Sequence, residues 1–386
     1  MNIVHLTRDE KFLPLARSLF EEAFPGQNRY LVVAPKRGAR RWLPPAPDIV
    51  QRSSLRFRSG WIAGDVATAD CVVVHGMSTM FAQALRHVRP QCLVVWIGWG
   101  FDYMRLLSPH LGPLLLPGTA RLVQGIGGAH GGAAKATWAA RLRAWLRPLG
   151  AALAPPKPPA LVSIAPRIDV FSANPADARL LLEVLPALQA RLHVIASFTV
   201  EDVFAAGPPA MSGPDVLLGN SATPANNHVE ALELLRDRLP VGGRLLVPLS
   251  YGRARYAQAV AEAGRRVLGE RFDALTDWMP IEAYNTRIAR CGFVVMNHRR
   301  QQAVGNICAA LYKGASVYLR RENPLFGFFT GLGISLQAIE SLESNPGAPL
   351  VALSPEQRRR NRDAIEARFG RANVVAAIRA LEGFRR

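Results

Sequence analysis

Cysteine is scarce and scattered. The chain carries four, at Cys71, Cys92, Cys291 and Cys308. No Cys-x-x-Cys pair occurs, which excludes a zinc finger or a redox couple and predicts buried thiols in a reducing compartment. No apolar stretch reaches the ~18 to 20 residues that a membrane-spanning helix needs. The opening residues, MNIVHLTRDEKFLPL, put acids where a secretory signal carries a basic end and a long apolar core, so the expectation is a cytosolic protein. Asp-x-Asp is also missing, so nothing in the pattern brackets a metal against a nucleotide diphosphate, and neither a metal nor a cofactor is expected. Aromatic residues make up only 8% of the chain, and no helix reads as a basic recognition element, which argues against a nucleic-acid-binding protein.

Acidic residues are few as well, and here the shortage is informative. Against 29 Asp+Glu stand 47 Lys+Arg, a formal charge of +18. Residues 1–170 hold 21 of the cations and 9 of the acids, so most of the excess lies in the first half. A single-sign surface of this kind recruits polyanions: nucleic acid, an anionic membrane leaflet or a diphosphate-bearing substrate.

A chain of 386 residues exceeds what one core usually supports. Short β-branched runs (NIVHL, YLVVA, CVVVH, CLVVWIGWG) alternate with helical patterns at 12–23 and 79–88, the signature of a parallel sheet with crossover helices. RIDVFSA, a helix over 175–187 and RLHVIAS complete this half, and the Gly- and Pro-rich stretch 198–214 reads as a linker. PDVLLGN, GRLLVPLS, RFDALTD, CGFVVMN and ASVYLRR are the strands of the second half, with helices over 226–238, 253–266, 280–290, 303–313 and 324–332. The expected organisation is therefore two doubly wound α/β domains, 1–200 and 215–365, joined by a linker at 201–214. A C-terminal helix over 366–386 is expected to pack back on the first domain. Residues 125–132, GIGGAHGG, read as a flexible loop, and the Pro-broken apolar stretches 106–116 and 144–155 as candidates to lean on a membrane face.

Ligands of open α/β sheets sit at the carboxyl ends of the strands, and four turns there carry unusual polarity. In GNSATPANNH, Gly219 permits close backbone approach, Asn220 and Ser221 offer polar groups, and Asn226 or Asn227 caps a helix that starts beside His228. A helix start is an anion site, so the loop is built to hold something acidic. Tyr251 follows the strand VPLS. Asn297 to Gln302 separate a core strand from a core helix whose first turn has Gly305 and Asn306, and forked Arg300 with the amides Gln301 and Gln302 suits a diphosphate and a sugar hydroxyl. Glu322 and Asn323 precede Pro324, where Asn323 also reads as a plain helix cap and Glu322 as a partner for ring hydroxyls.

In order and spacing, GNSATPANNH, VPLSYG, RRQQAVGN and RRENPLF resemble the motifs of the bacterial TDP-N-acetylfucosamine:lipid-linked disaccharide transferases, the 4-alpha-L-fucosyltransferase family of enterobacterial common antigen synthesis. The first half resembles it more faintly through VVVHGMSTMF and VWIGWGFDYM. The pattern departs at Ala303, where the family has glycine, at Asn306, where it has threonine, and at Phe101, where a smaller residue precedes Asp102. The resemblance implies a GT-B fold, with two Rossmann-like domains facing a central cleft. It implies a TDP-sugar donor on the C-terminal domain, a polyprenyl-diphosphate-linked acceptor on the N-terminal one, and a peripheral enzyme on the cytoplasmic face of the inner membrane. Carried over residue by residue, it puts Gly219, Asn220, Ser221, Asn227, His228, Tyr251, Arg300, Gln301, Gln302, Gly305, Asn306, Glu322 and Asn323 on the donor. His75 and Asp102 face the cleft, with Asp102 a candidate general base or simply the cap of the helix that follows it. The alternative readings are a nucleotide-sugar epimerase of the same shape and a nucleic-acid-binding protein.

Overall fold

The computed structural model describes residues 1–33, 40–100, 102–128, 160–203 and 210–385. Its first sheet comprises β1 (Ile3–Thr7), β2 (Asn28–Val33), β3 (Ile49–Arg52), β4 (Cys71–His75), β5 (Leu93–Ile97), β6 (Val170–Ser172) and β7 (Arg191–Leu192). These pair in the order β3-β2-β1-β4-β5-β6-β7, every pair parallel. The second sheet comprises β8 (Asp215–Leu218), β9 (Leu245–Pro248), β10 (Phe272–Leu275), β11 (Cys291–Met296), β12 (Ser316–Leu319) and β13 (Gln337–Ala338). Its order is β10-β9-β8-β11-β12-β13, again parallel throughout. Strands covered by helices on both faces need no polar side, and β1, β4 and β5 are accordingly buried along their whole length. All the strands read from the sequence are present. β3 and β13 escaped that reading, because IVQR and the pair Gln337–Ala338 carry no continuous apolar run.

In both sheets the order reverses between the first strand and the fourth, at β1/β4 and at β8/β11. Crossovers leave in opposite directions there, opening a crevice beyond the carboxyl ends. His75 ends β4; Gly219 follows β8. The four cysteines are free and buried in the two cores.

The division of the chain between lobes differs from the sequence reading at one place. The helix Pro117–Gly128 lies within the first half of the chain but packs on the second lobe, laying Leu122, Val123 and Ile126 against the core around Leu232 and Val260. Residues 125–128, expected in a loop, belong to this helix; 129–132 and 144–155 lie outside the described residues. Polar contacts fix the crossing. Glu230 accepts from Thr119 N at 2.9 Å and Thr119 Oγ1 at 2.7 Å, and Asn227 Oδ1 accepts from Leu116 N at 2.8 Å. A second segment makes the opposite crossing. The helix Arg371–Arg379 returns to the first lobe, where Val374, Val375 and Ile378 pack with Ile3, Phe20 and Val73. Arg371 holds it there through Glu22 and Ser18.

Replacing Glu230 by Ala removes the acceptor of both Thr119 N and Thr119 Oγ1. The expected cost is about 1–3 kcal/mol, read as a lower denaturation midpoint together with faster amide exchange across 119–126. Unchanged exchange there would mean that apolar packing alone holds the crossing helix.

Candidate active site

At the second switch point Gly219 (φ +68°) donates its N–H to Val295 O at 2.9 Å. A Cβ at that position would lie 2.7 Å from Asn226 Oδ1 and 3.1 Å from His228 Nε2, so only glycine fits. Asn226, fully buried, is the hub of the turn. Its Nδ2 donates to Ser221 O and Thr223 O, leaving Oδ1 to accept from Asn220 N and from His298 Nε2 at 2.7 Å. That orientation puts the His298 proton on Nε2, and its buried Nδ1 has no partner among the described residues. His228 meets the Tyr256 hydroxyl through Nδ1 at 3.0 Å, while its buried Nε2 is equally without a partner. Gln302 donates from Nε2 to Asn220 Oδ1 at 3.0 Å, and its buried Oε1 is unpaired too. Three unsatisfied polar atoms around one turn are unusual in a folded interior and mark a place where a ligand or water completes the network.

Two helices begin at the same edge, His228–Leu235 and Val304–Tyr312, and neither has a side-chain cap. Their N-caps, Asn227 (φ 49°) and Ala303 (φ 59°), are the two non-glycine residues of positive φ among those described. Left-handed backbone costs an alanine about 1–2 kcal/mol, and strain of that kind gathers at functional sites. Gly305 and Asn306, half-buried, occupy the first turn of the second helix. Arg300 stands just before it, half-buried and in no ion pair among the described residues. Burial lowers its guanidinium pKa, against the pull of the Asp177 charge in the other lobe. Gln301 reaches the other lobe as well, its Oε1 lying 3.6 Å from where a Gly100 Cβ would stand.

Several expected donor contacts turn out to be structural. Asn227 is fully buried and spends its amide on Leu116 N, Leu114 O and Asn297 O, holding the crossing segment. Asn323 caps the helix Pro324–Gly331 through Leu325 N and steadies the 298–300 turn by donating to His298 O and Arg300 O. Ser221 is buried with its hydroxyl on Thr223. Glu322 is held by both Nε and Nη2 of Arg299, so its carboxylate is neutralised before any sugar arrives. Tyr251 is 75% exposed and follows Ser250, which lines a hollow with Asp277, Trp278 and Tyr284; Lys11 of the first lobe lies 5.8 Å from the Tyr251 ring.

Across the cleft Asp102 also differs from a free base. Its Oδ2 accepts from Met77 N and Trp96 Nε1, both at 2.8 Å, and its Oδ1 from Trp99 N at 3.0 Å. Burial raises its pKa, and these three donors pull it back. Asp102 thus ties the turns after β4 and β5 together, a positioning role. His75 is buried, with Nε2 3.0 Å from His5 Nδ1, and His5 Nε2 in turn faces Asn28 Oδ1 at 3.1 Å. Asn28 Nδ2 donates to Phe20 O and Phe24 O, so its oxygen accepts, His5 carries its proton on Nε2, and His75 donates to His5. Asp177 carries no signal in the sequence, where it reads as part of a helix start. Buried on the helix Pro175–Val184, it accepts from Tyr103 Oη at 3.1 Å, and burial pushes its carboxyl up to about 6 despite that bond and the Arg300 charge.

Two expectations follow. Ala303→Gly relieves the left-handed strain and is expected to raise stability by up to about 1 kcal/mol, read as a higher denaturation midpoint; a fall would show that the alanine methyl contributes packing that outweighs the strain. The second concerns pH. Burial holds His5, His228 and His298 at about 3 and His75 well below its ordinary value, so in the folded chain they stay neutral where the unfolded chain binds protons. As pH falls below about 6.5, unfolding takes up protons and each such group subtracts up to about 1.4 kcal/mol per pH unit. Asp177 and Asp102, raised in the fold, act in the opposite sense below pH 6. Four groups outweigh two, so the midpoint at pH 5 is expected below that at pH 7; a flat or rising profile would contradict neutral buried imidazoles.

Residues 202–340 match the family model for 4-alpha-L-fucosyltransferase, glycosyl transferase group 56, the stretch that contains all four polar turns. The whole fold is similar to that of solved glycosyltransferase structures. Sucrose-phosphate synthase from Thermosynechococcus elongatus superposes with a TM-score of 0.60 at 11% identity, covering 99% of this chain and 98% of that one. A lipopolysaccharide outer core galactosyltransferase gives 0.62 at 12% identity, covering 99% of each chain. HepE of Anabaena, solved with UDP and glucose, gives 0.57 at 13% identity, covering 98% of this chain and 99% of that one. With the fucosyltransferase pattern in its C-terminal lobe and the GT-B architecture throughout, the chain is a nucleotide-sugar-dependent glycosyltransferase.

Proposed function

We propose that the protein moves a deoxy-acetamido sugar of the N-acetylfucosamine type from a TDP-sugar to a polyprenyl-diphosphate-linked saccharide at the cytoplasmic face of the inner membrane. The observation that carries the donor site is the crowding of uncapped helix starts and unpaired buried polar atoms around the Gly219–Asn220 turn. A diphosphate laid against the N-terminus of Val304–Tyr312 meets free backbone N–H groups and the positive end of the helix. Arg300 supplies a forked cation beside it, and Asn220, Gln301 and Gln302 supply amides. Charge that develops on the leaving nucleotide diphosphate is thereby met by donors already in place. The base of the nucleotide goes toward Tyr251 and the hollow beside Trp278, where rings and an apolar floor suit a pyrimidine. The acceptor approaches from the N-terminal lobe, past the turns held by His75 and Asp102. The excess of Lys and Arg in the first half of the chain favours an acceptor that carries phosphates and lies at an anionic surface.

The test is transfer of labelled sugar from TDP-, UDP- and GDP-linked donors into an extracted lipid-linked fraction. TDP-sugar is expected to give label in the lipid phase, and Arg300→Ala is expected to lose about 100-fold or more in rate while keeping the wild-type melting profile. The same nucleotides are compared for the rise in melting temperature that a ligand of the native state produces. No transfer with any donor and lipid acceptor would end the proposal, and sugar conversion without an acceptor would move the reading to an epimerase.

A further inference from the structure

We propose that residues 8–12, 40–43 and 53–58, gathered at the carboxyl edge of β1, β2 and β3 in the N-terminal lobe, form the face by which the protein sits on an anionic phospholipid bilayer. This deepens the reading of a lipid-linked acceptor and rests on it. Strands β1, β2 and β3 are parallel neighbours, so the turns that leave their carboxyl ends share one edge of the sheet. Each of these turns exposes a large apolar side chain: Phe12 after β1 (42%), Trp42 after β2 (39%) and Leu55 after β3 (62%). Single exposed apolar residues are ordinary, but three on successive turns of one edge form a patch that calls for a partner.

The fold itself directs them outward. Asp9 accepts from Trp42 N at 3.0 Å and Leu43 N at 2.9 Å, which pins the second turn beside the first. Leu43 then fills the core next to Tyr30 and Val32, so its neighbour Trp42 faces water. Residues 8–12, 40–42 and 52–58 together hold seven Lys or Arg against two acids, and one of those acids is the Asp9 already engaged with backbone N–H groups. Buried Asp65 gathers Arg29, Arg52 and Arg56 behind the third turn, three cations on one carboxylate.

Charge and ring also coincide at single points. Lys11 Nζ lies 4.8 Å from the Phe12 ring centroid, and the Arg41 guanidinium 4.7 Å from that of Trp42. An aromatic body with a cation beside it suits the headgroup layer, where the ring enters the acyl boundary and the cation meets phosphate. Each Lys or Arg near such a surface contributes on the order of 1 kcal/mol. Lys11 also lies 5.8 Å from the Tyr251 ring, so the rim adjoins the cleft mouth and places a membrane-held acceptor where the donor lobe can meet it.

The experiment is sedimentation with vesicles of mixed phosphatidylglycerol and phosphatidylethanolamine, and with vesicles of phosphatidylcholine alone. Wild type is expected to sediment with the anionic vesicles, less so as salt rises, and to stay in solution with the neutral ones. Trp42→Ser combined with Leu55→Ser, and separately Arg41→Glu combined with Arg58→Glu, are each expected to weaken binding by about tenfold or more with the TDP-induced rise in melting temperature intact. Binding of both variants at the wild-type level, or equal wild-type binding to both vesicle types, would overturn the proposal. Transfer to a detergent-dispersed lipid acceptor without vesicle binding would sink this surface alone, whereas vesicle binding without transfer to any acceptor would sink the donor and acceptor reading and leave the surface standing.

Discussion

A parallel sheet hands each strand to its helix at one edge, and at the second switch point two of those handovers run through left-handed backbone, at Asn227 and Ala303. The consequence is chemical as well as geometric. A side-chain cap would satisfy the first N–H groups of the helix and spend the positive end of its dipole internally. Here neither helix is capped by a side chain, so the N–H groups and the dipole remain for a ligand. The fold offsets the strain by overdetermining the positions: Asn227 makes four side-chain hydrogen bonds, two of them to the crossing segment, and Asn323 holds the loop that leads to Ala303.

Those same hydrogen bonds explain why the lobes exchange elements. If the helix Pro117–Gly128 stayed with the sheet that precedes it, Asn227 would lose Leu116 N and Leu114 O, and Glu230 would lose Thr119. The turn after β8 is thus braced by a segment from the first half of the chain. Pro113 O, which accepts from Arg299, extends the brace to the loop that carries Arg300. The C-terminal helix Arg371–Arg379 makes the opposite crossing, so each lobe contains a piece of the other's stretch of sequence.

Much of this was legible in the sequence, and the limits have physical causes. Strand alternation gave both sheets, since runs buried on two faces must be continuous and apolar, and the polar turns fell where the switch-point rule puts ligands. What the sequence could not separate was a polar side chain that faces a ligand from one that steadies a neighbour. Asn227, Asn323 and Asp102 have the residue types of a binding site, yet each takes at least one backbone partner from more than 20 residues away. The crossing helix escaped for a related reason: its apolar stripe fits either core, and only the distant Asn227 and Glu230 decide between them. Asp177 escaped because nothing local distinguishes it from a first-turn acid; its altered proton affinity comes from burial beneath Tyr103.

The electrostatics of the closed cleft follow from these placements. Among the described residues no carboxylate is bonded to Arg300, and the acid whose charge reaches it, Asp177, lies in the other lobe with its carboxyl pushed up to about 6. At neutral pH that carboxylate partly offsets Arg300 and lessens the cost of keeping a guanidinium half-buried without a ligand. A diphosphate bound at Arg300 adds negative charge near Asp177 and disfavours its ionised form further, which moves its proton affinity upward. Arg300 and Asp177 are thus linked electrostatically across the two lobes.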